Sequence, residues 1–356
     1  MSLDTIAKVI SQGRHLATHS WEFGAFSESL LEWYNPELSV FSPSPFPDGK
    51  IPVAQVNEVE SLSYAHPHIW TNSTALIDGD GAAGDPASLA VPAILIGQTE
   101  PSYLSAAERQ IKHLIDDVPR WSNGAISHRE DYAELWADFV YMAPPALAYW
   151  AVQSKDETLL RTSVQQCLLY RDVLAVSPKQ DSKAGGLWHH IKGPHTQDLG
   201  IWSTGNAWAA AGMARVLATA RKFPWATKLA SDLGGLADAI KHILDTAIAL
   251  DNSESNEPLL RNYLNDDSWF GELSGTSLLA ATAYRMAKLE PKKFGSSYVE
   301  WADAKRHEVV KRINEDGLLS PVINPLNWGD RKPAKASPEA HSFALLMFAA
   351  YRDFQG

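Results

Sequence analysis

Cysteine is almost missing from the chain: Cys167 is the one thiol in 356 residues, so no disulfide framework can form within it. Its setting, SVQQCLLYRDVL, spaces apolar residues as a helix does, which predicts a buried, unreactive thiol. Positive charge is also short. The 31 Lys and Arg against 42 Asp and Glu leave a net charge of −11, which excludes a nucleic-acid partner, because a phosphate backbone is held by clustered cations. Long apolar runs are absent: LAVPAILIG and FALLMFAAY reach about half of the ~20 residues a membrane span needs, so no membrane association by a crossing helix is expected. The opening stretch MSLDTIAKVISQGRHLATHS lacks the apolar run of a secretory leader and reads as an amphipathic helix. A cytoplasmic protein, or a secreted one already trimmed, is the expectation. Strict alternation of β-branched residues is scarce too, which makes a sheet-based fold a distant second.

What is present is apolar residue, 45% of the chain, and tryptophan, 13 of them. Indole in excess serves cores, and it also makes stacking walls for flat or sugar-like ligands. Six segments share one layout, a Gly, Ser or Asp-rich turn leading into a helix of small residues: SWEFGAFSESLLEWY, GDPASLAVPAILIG, WADFVYMAPPALAYWAV, WSTGNAWAAAGMARVLATA, WFGELSGTSLLAATAYRMA and SPEAHSFALLMFAAYRDF. They recur at roughly 50–70 residues, too long for a solenoid repeat of ~20–50 and right for a helical hairpin with loops. Between them run SYLSAAERQIKHLIDDV, DETLLRTSVQQCLLYRDVLAV, LASDLGGLADAIKHILDTAIAL and YVEWADAKRHEVVKRI, whose apolar residues recur every three or four positions, the pattern of helices with one wet face. Buried helices alternating with outer amphipathic ones predict an all-α protein, an (α/α)6 barrel formed as one domain over residues 1–356. Residues 35–72 read as a Pro-rich excursion.

Inner helices that run parallel gather their N-terminal turns, with unpaired N–H groups and positive dipole ends, at one mouth. Polar and aromatic residues placed there should converge on a pocket. Asp138 opens the third inner segment, and Pro144 and Pro145 after it imply a kink or restart. It reads as a helix cap, or as an acid whose aromatic neighbours Trp136, Phe139 and Tyr141 strip it of water and raise its pKa. Asp85 precedes Pro86, a pairing common at helix starts; beside Asp138 it could also form the close pair that splits into an acid and a base. GGLWHHIKGPH holds Trp188, His189, His190 and His195. No HExxH pattern accompanies them, so a histidine facing the pocket is expected in place of a metal site. GELSGTS carries Glu272 where a GxSxG elbow needs glycine, and DGDGAAGD lacks the GK[ST] of a phosphate loop and the final Glu of a calcium loop. No cofactor is expected.

In order, WADFVYM, GLWHH, WSTGNAWAAAGM and ELSGTS resemble the unsaturated glucuronyl and rhamnogalacturonyl hydrolases of glycoside hydrolase families 88 and 105, from about residue 20 to the end. The resemblance implies a six-hairpin glycosidase that hydrates the 4,5 double bond of an unsaturated uronyl residue at the non-reducing end of an oligosaccharide. By it, Asp138 protonates C4 and as conjugate base helps water add at C5, Asp85 is the second acid, and His190 is the active-site histidine. Trp202 and Trp208 match its aromatic walls, with Trp136, Tyr141, Trp188, His189, Thr204 and Asn206 as further substrate contacts. The chain departs from it at WSTGNAW, where relatives read W-x-R-G-N-G-W: Thr204 stands at the Arg and Ala207 at the second Gly. A single hydroxyl replaces a permanently charged fork. Two other readings stay open, a barrel turned to an acid–base step on a less charged metabolite, and a carbohydrate-binding barrel without activity.

Overall fold

The computed structural model describes residues 2–253 and 257–356. Its helices are α1 (Leu3–Leu16), α2 (Ser20–Tyr34), α3 (Glu60–Ala65), α4 (Ala90–Ile96), α5 (Pro101–Asp116), α6 (Phe139–Ser154), α7 (Glu157–Leu174), α8 (Ser203–Arg221), α9 (Ala230–Ser253), α10 (Leu273–Leu289), α11 (Ser296–Val310) and α12 (Pro338–Gln355). The even-numbered helices form a closed ring: α2 packs on the 3-10 turn Asp85–Leu89 that leads into α4, each later one packs on the next, and α12 returns to α2. The odd-numbered helices lie outside, α1 against α12, α3 and α5 against α4, and α7, α9 and α11 against α6, α8 and α10. This is the (α/α)6 barrel that the alternation of small-residue and amphipathic segments predicts. Among the described residues, no helix is long and apolar enough to cross a membrane.

Burial follows the sequence pattern. Helix α8 is buried from Ser203 to Ala220, whereas α5 buries one stripe, including Ala106, Ala107, Gln110, Ile111 and Leu114. Small residues let the inner helices close up: a Cβ on Gly212 of α8 would sit 2.2 Å from the Val140 carbonyl oxygen of α6. Contrary to the expected restart, α6 runs on through Pro144 and Pro145. The two missing N–H groups cost it intrahelical bonds, but it is buried from Phe139 to Tyr149, and packing supplies most of a helix's stability. Cys167 is buried, as expected, and burial pushes its thiol well above the usual range.

The Pro-rich excursion holds four short 3-10 turns and α3, an outer helix too short for a periodicity to betray it. Its first part covers the C-terminal ends of the inner helices. The Phe46 ring meets Tyr149 at 5.5 Å and Phe223 at 6.2 Å, and Phe41 lies beneath the Arg285 guanidinium at 4.5 Å. Inside that end, Arg215 pairs with Glu28 at 2.7 Å, and Arg285 with Glu32 at 2.5 Å and Asp353 at 2.7 Å.

Candidate active site

The opposite end of the barrel is open and holds a cavity of about 320 Å³. Four inner helices bring residues from their first turns or caps to its wall, Trp21, Asp138, Trp202 and Glu339, and the 3-10 turn that leads into α4 brings Asp85. Asp138 occupies the cap position of α6 but makes no capping hydrogen bond; Asp85 lies one residue beyond the cap Gly84, also without one. Neither acid is therefore there to close a helix. Glu272 is: it caps α10, taking the Ser274 and Gly275 N–H groups at 2.6 Å each.

A two-stranded ribbon delivers the histidine. Strand β1 (Leu135–Trp136) pairs antiparallel with β2 (Ile191–Lys192), and the Ala137 N–H donates to the His190 carbonyl at 2.9 Å. That register sets His190 Nε2 3.3 Å from Asp138 Oδ2. Beyond β2 the chain turns back so that Ile191 and Asp198 exchange backbone hydrogen bonds, which puts Asp198 Oδ2 3.0 Å from His190 Nδ1. Tyr263 donates its hydroxyl to the same oxygen at 2.5 Å. A chain Asp138, His190, Asp198, Tyr263 results, with His190 packed among Trp136, Trp202 and Trp328 at centroid distances of 5.8, 4.4 and 5.0 Å. Burial works against its imidazolium, but the Asp138 and Asp198 carboxylates outweigh burial and hold its pKa above the usual histidine value. Burial likewise opposes the Asp198 charge, and the hydrogen bonds from His190 and Tyr263 win, bringing that carboxyl down to about 2.

The second acid stands in different company. Burial first, then the negative charge of Asp138, push the Asp85 carboxyl up to about 8, with Arg129 opposing. Its nearest base is His128 Nε2, at 4.0 Å from Oδ1. His128 stacks on Trp136 at 4.7 Å, and burial takes it down to about 3 despite the pull of Asp138, so it is a neutral imidazole. At neutral pH the cavity thus presents a protonated carboxyl at Asp85, and across it a carboxyl and an imidazole, Asp138 and His190, in contact. A protonated carboxyl facing a carboxyl–imidazole contact is an arrangement that acid and base roles can use.

Of the residues singled out in the sequence, Asp85, Asp138, His190, Trp136, Trp202 and Trp208 line this cavity together. Tyr141, Trp188, His189, Thr204 and Asn206 are not among its lining residues, which corrects the expectation that they face a ligand. Tyr141 looks down the barrel, its ring 4.5 Å from Trp208 and under the Arg215 guanidinium at 5.0 Å. Trp188 is fully buried. Successive residues of an extended chain point to opposite sides, so with His190 inward His189 turns away, its Nδ1 on the Leu199 carbonyl at 2.6 Å. Asn206 ties α8 to the loop before β2 through the Trp188 N–H and carbonyl, at 2.8 and 3.0 Å. The Thr204 hydroxyl is spent on Glu272 at 3.4 Å.

The cavity also holds residues not singled out in the sequence. Trp21 and Glu339 sit in inner segments one and six at the position that singled out Asp138, so the signal was there. Arg129, His128 and Trp328 come from irregular loops, where no periodicity marks them. Arg129 donates to the Asp80 carbonyl at 3.2 Å, and among the described residues it pairs with no carboxylate. Among the described residues there is also no cluster of three His, Cys, Asp or Glu side chains suited to a metal ion.

Residues 63–350 match the family model described as Glycosyl Hydrolase Family 88. A search of curated proteins gives no significant match. Among solved structures, the chain is similar to a possible GH105 member from Salmonella enterica serovar Paratyphi A, with a TM-score of 0.74 at 16% identity over 99% of this chain and 93% of that one. A family 105 glycoside hydrolase from C. acetobutylicum follows at 0.73 and 15%, over 98% and 99%. The unsaturated glucuronyl hydrolase of Bacillus sp. GL1, responsible for the degradation of glycosaminoglycan, gives 0.61 and 14%, over 94% and 85%.

Proposed function

The chain belongs to glycosyl hydrolase family 88, and from that premise we propose that its cavity hydrates the C4–C5 double bond of an unsaturated uronyl residue at the non-reducing end of an oligosaccharide. The observation that carries this reading is the contact of Asp138 with a histidine held charged, opposite the separately protonated Asp85. Protonating carbon is slow and needs a positioned acid. The imidazolium of His190, 3.3 Å away, passes its proton to the Asp138 carboxylate, which delivers it to C4. The positive charge that forms at C5 and the ring oxygen is met by the carboxylate left behind. Asp138 then takes a proton from the water that attacks C5 and returns it to His190, so the catalyst ends as it began. The resulting hemiketal opens to a ketone, the C1 carbon becomes a free hemiacetal, and the leaving sugar departs.

Asp85, neutral below about pH 8, offers a hydrogen bond to the ring without placing a second negative charge beside the substrate's carboxylate. Arg129 supplies the cation that Thr204 does not, and Trp136, Trp202 and Trp208 form the stacking walls. The barrel is filled beneath the cavity by Tyr141, Phe343 and the Arg215 and Arg285 pairs, which suits a chain end better than a mid-chain sugar. The test is a spectrophotometric one. Incubation with a 4,5-unsaturated glucuronyl disaccharide should abolish the ultraviolet absorbance of the double bond and release the second sugar. Persistence of that absorbance with unsaturated glucuronyl and unsaturated galacturonyl disaccharides alike would overturn the reading.

A further inference from the structure

Glu339, the second residue of α12, lines the cavity and yet takes no part in the chemistry proposed above. It is 2% exposed. Its Oε1 accepts the Trp21 indole N–H at 3.0 Å, which fixes the carboxyl, while its Oε2 has no hydrogen-bond partner. A buried polar atom left without a partner is costly, and in native proteins such atoms are uncommon. One turn further along α12, Phe343 packs edge-on against Trp208 at 4.5 Å, so the carboxyl stands above an aromatic wall of the same cavity. Its surroundings are acidic: Asp138 from the start of α6, Glu22 from α2 and Glu272 from the cap of α10.

We propose that Glu339 is a specificity-determining residue: its free oxygen hydrogen-bonds a hydroxyl of the terminal ring, so the site admits a ring bearing that hydroxyl and refuses one bearing a sulfate there. This rests on the uronyl reading given above. Burial, and then the charge of Asp138, push the carboxyl well above the ordinary glutamate range, toward the O–H form that can donate to or accept from a hydroxyl. A sulfate in the same place would face Asp138, Glu22 and Glu272, and would meet this one proton at best.

Binding can be measured by titration calorimetry at neutral pH in a D138N background, which stops turnover and leaves Glu22 and Glu272 as the acids that a sulfate would face. The probes are an unsaturated glucuronyl disaccharide with free ring hydroxyls and its 2-O-sulfated counterpart. The parent should bind the first about tenfold more tightly or better, the scale of one well-placed hydrogen bond. Adding E339Q places the amide oxygen on Trp21 and turns its NH2 to the ring: binding of the free probe should hold within about threefold, and that of the sulfated probe should rise about tenfold. Adding E339A should weaken the free probe about tenfold and abolish the preference. If E339Q leaves the preference between the probes unchanged, the assignment of Glu339 is wrong, whatever becomes of E339A. If the parent binds neither probe and the wild-type protein leaves both double bonds intact, the uronyl reading itself falls, and the role of Glu339 with it.

Discussion

Both ends of the barrel bury charged side chains, and they treat them in opposite ways. At the closed end every acid has its cation: Glu28 with Arg215, Glu32 and Asp353 with Arg285, at 2.5 to 2.7 Å. At the open end, among the described residues, Asp85 touches no cation, Glu339 has one oxygen without a partner, and Asp138 has only the His190 ring beside its Oδ2, at 3.3 Å. Buried charges are tolerated when paired and are expensive when not. The closed end is built as a fold requires, and the open end holds groups that only a ligand or a proton can satisfy. Substitutions should therefore separate stability from turnover according to the end they strike.

The sharpest break falls at Asp138. Asp138→Asn keeps the shape and removes the titrating proton, so turnover of an unsaturated disaccharide should drop by ~10²–10⁴-fold, the range credited to general acid–base catalysis. The thermal midpoint should barely move, since the side chain caps nothing. An active Asp138→Asn protein would return the residue to the fold and move the chemistry to Asp85 or His190.

Arg215→Met is the mirror image. It strands Glu28, a fully buried carboxylate, and should lower unfolding free energy by ~3–5 kcal/mol, as breaking a buried pair does. Turnover at a temperature where the variant is still folded should stay within about threefold of the parent, because Arg215 does not line the cavity. The double variant Glu28→Gln with Arg215→Met should recover much of the loss, since no charge is then left alone. Chemical denaturation of the wild type and the two variants decides it; a catalytic defect as deep as that of Asp138→Asn would erase the division between the two ends.

How far this division shows in the sequence differs by end. Small-residue segments alternating with amphipathic ones disclosed the barrel, because helix burial is written in spacing. The open end was half legible: a position rule, polar or aromatic residue at the start of an inner helix, finds Asp85, Asp138 and Trp202, and Trp21 and Glu339 by the same logic. It fails for Arg129, His128 and Trp328, which loops carry in from far away. Adjacency also misled where the chain is extended, as with His189 beside His190, or where the side chain faces a neighbouring helix, as with Thr204 and Tyr141. The closed end was not legible at all, because a Glu–Arg pair between α2 and α8 leaves no mark in either segment.

A subtler contrast is electrostatic. Asp85 has its folded-state pKa raised to about 8 against an ordinary value of 3.8. A raised carboxyl costs nothing while both states are protonated, below about pH 4; as pH rises toward 8 the unfolded chain ionises and the folded one does not, so stability is lost across that window. Asp85→Asn removes the dependence. Its unfolding free energy should match the wild type near pH 4 and exceed it by a few kcal/mol near pH 8, at about 1.4 kcal/mol per unit before relaxation and coupling to Asp138 reduce it. Denaturation curves at the two pH values test this, and equal differences at both would show that Asp85 ionises normally. A gain in stability from deleting a cavity acid is what the open end, held unsatisfied for function, should give.

The smallest effect is expected one layer behind the cavity, at Asp198, which touches His190 and is not among the cavity's lining residues. If it serves as a positioning residue, Asp198→Asn keeps a polar partner for Nδ1 but removes the charge that, together with Asp138, holds the imidazolium. Turnover should fall about tenfold, the scale of one charge-assisted hydrogen bond, with KM little changed. The direction of the pH response is fixed by the same geometry. The groups facing His190 are Asp138, Asp198 and the neutral His128; with one of the two carboxylates gone, its pKa must fall from its raised value. The alkaline limb of the activity profile, where the imidazolium is lost, therefore moves to lower pH, and Asp198→Glu moves it back. A tenfold loss with an unshifted alkaline limb would mean that Asp198 only braces the turn after β2 through the Gly200 N–H, 2.8 Å from Oδ1, and the open end would then extend no deeper than the residues that line it.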